Sequence, residues 1–106
     1  MSNPKAPTGL RGPGRRFWKA ATRERVFSES HDLARLLIGA RTLDEIAADE
    51  ATLATEGRFT VDRWGRRVAH PALKSLQENR ALFLRVIREL ALDLVAPEDS
   101  RPPRQY

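Results

Sequence analysis

Residues 71–94 read PALKSLQENRALFLRVIRELALDL, and this stretch decides the fold. Proline opens it, where a fixed φ suits the first helical turn and a missing N–H costs little. No further Pro or Gly follows before Leu94. Leu73, Leu76, Phe83, Ile87, Leu90 and Leu94 recur at 3-4 spacing, with Arg80 the one polar member, as in a coiled-coil seam. Leu82, Leu84, Val86, Ala91 and Val95 lie beside that seam. At about 100° per residue they widen the apolar arc to roughly 200°. A helix of a two-helix hairpin needs only about 100° of apolar surface. The reading therefore expects self-association through Leu73, Leu76, Phe83, Leu84, Ile87, Leu90, Ala91 and Leu94. A thicker core within one protomer is the plainer alternative.

Upstream, a second long helix is expected to end at Glu56. Ser28 or Ser30 is the expected N-cap, with Asp32 favourable in the first turn. Leu33, Leu36, Leu37, Ala40, Leu43, Ile46, Ala47 and Leu53 form its apolar stripe, and Gly57 supplies a C-terminal cap. About 25 helical residues would reach roughly 38 Å. Between the two long helices, RFTVDRWGRRVAH (58–70) changes character. Phe59, Val61 and Val68 are strand-like and Asp62-Arg63-Trp64-Gly65 is turn-like, so a small β-hairpin or an ordered loop is expected. Further upstream, Pro13 sits where a short amphipathic helix can begin, one that buries Phe17, Trp18 and Ala21 and displays cations. The expected architecture is mainly all-α. A short N-terminal helix joins a long antiparallel helical hairpin carrying a small hairpin or loop at its bend. Residues 1–12 read as a flexible arm, 13–96 as the folded unit and 97–106 as a flexible polar tail.

A chain of 106 residues suits one compact domain. It has no cysteine, and two histidines, His31 and His70, are too scattered for a metal cluster. No apolar run approaches the roughly 20 residues needed to cross a bilayer, and the N-terminus lacks the apolar stretch of a secretory signal. A soluble cytoplasmic protein is expected. The net charge of +5 is unevenly placed. Residues 1–27 carry seven Lys/Arg against one acid, and residues 28–57 two against seven. Residues 58–76 carry five against one, and residues 77–106 five against five. Two basic segments thus flank an acidic one, a layout that favours polyphosphate partners through counterion release.

Catalytic chemistry is not evident. Asp44/Glu45 and Asp49/Glu50 pair on the long helix without a nearby His, and read as a solvated face rather than a metal-dependent nuclease site. Gly9, Gly12 and Gly14 match no phosphate-binding loop. Ser28, Ser30 and His31 are better explained by capping than by nucleophilic catalysis, and His70 by the turn before Pro71. No enzymatic activity, metal or cofactor is expected.

The order of Trp18, the Leu-rich run Leu33–Gly57, Gly65, His70-Pro71 and the Leu90–Pro97 terminus resembles the small terminase subunits of tailed bacteriophages and phage-derived gene transfer agents. The resemblance spans about residues 15–97. It implies a non-catalytic adaptor that forms a ring of roughly 8–12 subunits. It also implies engagement of double-stranded viral DNA and regulation of the large terminase motor and nuclease in the bacterial host cytoplasm. DNA contact would fall to Arg11, Arg15, Arg16, Lys19, Arg58, Arg63, Arg66, Arg67 and Lys74. Trp64 at the turn can stack on a base or ribose, or pack locally. Arg101, Arg104 and Tyr106 of the tail would touch the large subunit. Many members carry a separate helix-turn-helix domain. Only about 27 residues precede the long helix here, so phosphate contact rather than sequence reading is expected. The alternative is a scaffold that bridges the large subunit and portal without gripping DNA.

Overall fold

The computed structural model describes residues 4–24, 26, 27 and 29–90. Three helices and one antiparallel strand pair follow in the order α1 (Gly12–Glu24), α2 (Ser30–Glu56), β1 (Phe59–Val61), β2 (Arg67–Ala69) and α3 (Pro71–Leu90). The expected continuation of α3 to Leu94 lies outside the described residues.

Helices α2 and α3 form the helical hairpin. Its antiparallel sense is fixed by pairs whose numbers run in opposite directions: Arg35 with Glu89, Glu50 with Arg80, and Asp49 with Ser75. Helix α1 packs on α2, and the Phe17 ring meets Phe83 edge-on with centroids 5.3 Å apart. Gly39 makes this approach possible, because a Cβ there would sit 3.1 Å from both Phe17 and Val86. The core comprises Leu10, Phe17, Trp18, Ala21, Phe27, Leu36, Ala40, Val86 and Leu90. Burying each large side chain contributes about 1.5–3 kcal/mol.

Helix α1 begins at Gly12, one residue before the Pro13 at which it is expected to open. Its start borrows a cap from α2: the Asp44 carboxylate accepts the Arg11 and Gly14 N–H groups, both at 2.7 Å. Gly14 has no room for a side chain, since a Cβ would lie 2.5 Å from the Ala40 carbonyl oxygen. Where a free arm is expected over residues 1–12, residues 4–11 fold back on α1. Leu10 is buried, Ala6 packs on the core, and the Trp18 indole N–H donates to the Pro4 carbonyl at 3.2 Å.

The capping of α2 also differs from expectation. Glu29 occupies the N-cap position without a side-chain cap bond, and Ser30 is already helical. Ser28 lies outside the described residues. Gly57 closes α2 as expected, with φ at +86° and its N–H donating to the Leu53 carbonyl. His70 caps α3: its Nδ1 accepts the Ala72 N–H at 3.0 Å, and its carbonyl accepts the Leu73 N–H.

Among the described residues, most of the wide arc on α3 is used inside the protomer. Leu76, Val86 and Leu90 are buried, while Leu82, Phe83 and Ile87 are partly buried against the core. Helix α2 covers most of that arc, and α1 adds Phe17 against Phe83. Leu73 is half-buried and Leu84 is 64% exposed. Ala91 and Leu94 lie outside the described residues.

Candidate nucleic-acid interface

The sequence between the long helices forms a hairpin, not an irregular loop. Phe59 pairs with Ala69, Thr60 with Val68 and Val61 with Arg67. Arg63, Trp64 and Gly65 make a three-residue loop, and Gly65 takes φ +80°, the left-handed conformation such a loop requires. All six strand residues are exposed, so both faces of the ribbon meet solvent. A two-stranded ribbon is marginal alone in water. Its base is therefore held by the helix ends. The His70 N–H donates to the Arg58 carbonyl, and His70 Nε2 lies 2.8 Å from Glu56 Oε1. Since Nδ1 accepts a backbone N–H, Nε2 bears the proton in the neutral ring.

Asp62 organises the tip. Its Oδ1 accepts the N–H groups of Trp64 and Arg66, each at 2.9 Å, and its Oδ2 accepts Arg66 Nε at 3.0 Å. Hydrogen bonding to Arg66 and Trp64 holds its carboxyl below the usual carboxylate range, the Arg66 backbone contributing most. Four guanidinium groups surround this single acid. Arg63 and Arg66 stand over the Trp64 ring at 4.4 and 5.0 Å, and Arg67 over the Phe59 ring at 4.3 Å. Such contacts at exposed sites are worth about 0.5–1 kcal/mol each. Among the described residues, Arg58, Arg63 and Arg67 have no carboxylate partner; Arg66 has Asp62. The ribbon is thus a cationic surface with two aromatic rings laid into it.

The other predicted cations sit elsewhere. Arg15 and Lys19 border an open cleft of about 430 Å³ between α1 and the N-terminal segment, where Lys5 joins them. Sequence reading passed over Lys5, because only the fold-back of residues 4–11 brings it there. Arg15 also donates to the Leu10 carbonyl at 3.1 Å. Arg11 lies beside Arg41, Asp44 and Glu45, where the two acids offset the two cations. Arg16 is exposed on α1 and Lys74 in the first turn of α3. Asp44, against the start of α1, and Glu56, at the hairpin base, are twelve residues apart on α2, or roughly 18 Å. The candidates therefore form two patches. Phe59 and Asp62 belong to the hairpin patch but read in the sequence only as strand and turn residues. Arg101, Arg104 and Tyr106 lie outside the described residues.

Three of the four paired acids of α2 have structural partners. Asp44 caps α1, Asp49 accepts the Ser75 hydroxyl at 2.7 Å, and Glu50 meets Arg80 at 2.9 Å. His31 is exposed between Glu29 and Asp32. Among the described residues no three His, Asp or Glu converge as a metal site, and no helix is long and apolar enough to cross a membrane. No protein-family model, curated protein or solved structure matches the chain.

Proposed function

We propose that this chain is a non-catalytic DNA-packaging adaptor of the small-terminase type, which contacts DNA through phosphates and recruits and regulates a large terminase subunit in a host cytoplasm. The observation that carries this reading is the exposed hairpin, with Arg58, Arg63, Arg66 and Arg67 around a single acid. A ribbon held at the bend of two long helices presents its guanidinium groups away from the core, where phosphates reach them without desolvating a pocket. The order of helices and glycines that resembles small terminases supplies the rest of the reading. Assembly into a ring of roughly 8–12 copies would use the exposed edge of α3 around Leu84.

Two measurements test this together. Native mass spectrometry is expected to show one closed oligomer, and a clean monomer at micromolar concentration would overturn the assembly. Mobility shifts with duplex DNA at low salt are expected to show binding. No binding there favours the alternative, a scaffold whose basic ribbon meets an acidic protein surface.

A further inference from the structure

We propose that the hairpin takes unpaired nucleotides in preference to intact duplex, with Trp64 as the stacking platform and Phe59 as a second. This deepens the reading of the hairpin as the DNA contact and rests on it. The first observation is the allocation of aromatic rings. Phe17, Trp18 and Phe27 are buried and Phe83 packs on Phe17, whereas Trp64 is 65% and Phe59 49% exposed. Among the described residues, both exposed rings lie on the one ribbon, which carries four arginines against a single acid. The fold needs neither ring there, since neither belongs to the core.

The second observation is how the rings are held. Each lies under at least one guanidinium at 4.3–5.0 Å. Contacts of this kind are weak at exposed sites, so a base can displace the guanidinium from a ring face. The displaced guanidinium then stands beside the incoming nucleotide, within reach of its phosphate. The third observation is a shallow groove of about 390 Å³ along the ribbon, lined by Arg58, Phe59, Val61, Gly65 and Arg67 among others and by no carboxylate. Gly57 and Gly65 leave its ends open, as a Cβ at either would meet nothing within 4 Å.

Duplex DNA offers this surface its phosphates but keeps its base faces in the stack. Phe59, Val61 and Trp64 gain nothing from a phosphate. A single strand offers both charge and π-faces, and stacking on an aromatic side chain tolerates any base. Unpaired stretches of this kind occur at DNA ends and gaps.

The test uses the full-length protein with a labelled oligothymidylate of about 20 nucleotides and a duplex of the same length, at matched salt. The oligothymidylate is expected to bind more tightly. Trp64→Ala is expected to weaken it roughly 5- to 100-fold while changing duplex binding less than about twofold, and Trp64→Phe to restore part of the loss. Trp18 is only 4% exposed, so quenching of tryptophan fluorescence by the oligothymidylate should come from Trp64 and vanish in Trp64→Ala. Equal binding of both probes, or equal loss for both in Trp64→Ala, overturns the preference and leaves the phosphate reading standing. Failure of both probes to bind at low salt overturns the two together. Trp64 sits at an exposed tip, and an unchanged circular dichroism melt establishes that the variant is folded.

Discussion

Replacing Arg66 and Arg67 together by alanine should halve the salt dependence of duplex binding. Four guanidinium groups sit on the ribbon, so one protomer can neutralise up to about four phosphates. Each contributes a slope of about −0.9 in log K against log salt, or roughly −3.6 in all. Between 50 and 200 mM salt, a slope near −3.6 corresponds to a loss of about 150-fold in affinity. With two contacts left, the slope falls to about −1.8 and the loss to about 12-fold. Arg66 also binds Asp62 through Nε, but Asp62 Oδ1 keeps the backbone N–H groups of Trp64 and residue 66, so the turn is expected to survive. Fluorescence anisotropy at four or more salt concentrations gives both slopes, and a melt by circular dichroism checks the fold. An unchanged slope in the double variant would refute the assignment of phosphate contact to the ribbon. It would shift the contact to the cleft of Lys5, Arg15 and Lys19.

Four further outcomes follow from the geometry. Asp44→Ala leaves two N–H groups at the start of α1 without their acceptor and should cost about 1–2 kcal/mol; Gly14→Ala, forced against the Ala40 carbonyl, should cost about 1–3 kcal/mol, and urea unfolding measures both. The Asp62 carboxyl is held below its ordinary value, so its contribution to hairpin order is complete above the unfolded carboxylate range and is lost as pH falls through the lowered value. The Trp64 and Arg66 amide resonances should therefore stay constant near neutrality and move only in acid, while Asp62→Asn removes that acid step; movement near pH 7 would contradict the assignment. Leu84→Glu, at an exposed position, should change stability by less than about 0.5 kcal/mol yet reduce assembly in native mass spectra; an unaltered oligomer would remove Leu84 from the interface.

Much of the architecture is legible in local chemistry. Pro71 marks a helix start because its fixed φ suits the first turn while its ring is excluded from the helix interior, and Gly57 marks a helix end because its φ of +86° suits few other residues. The alternation of Phe59 and Val61 around a turn with Gly65 is enough to suggest a ribbon. What local chemistry does not reveal is tertiary. The cap of α1 comes from Asp44, thirty residues from Gly14, so no signature near Pro13 announces it. Ser30 has the right side chain for a cap, but the chain enters α2 one residue earlier. The α3 arc looked too wide for a two-helix hairpin because periodicity counts apolar positions without showing that α1 covers part of them. The same limit applies to the cations, since charge runs give membership of a segment and not of a face. The cleft of Lys5, Arg15 and Lys19 and the ribbon are separate surfaces for that reason.

The two halves of the helical hairpin are joined by different means. Near α1 the helices meet through Leu36, Ala40, Val86 and Leu90. Toward the ribbon, Leu76 is the one buried large apolar residue of α3, and the neighbouring ties are Asp49 with Ser75 and Asn79 and Glu50 with Arg80. Polar ties of this sort exchange with water at little net cost, whereas apolar packing separates only at the full expense of exposing it. A pull on the ribbon is therefore expected to load the polar ties of the stem before the apolar packing around α1.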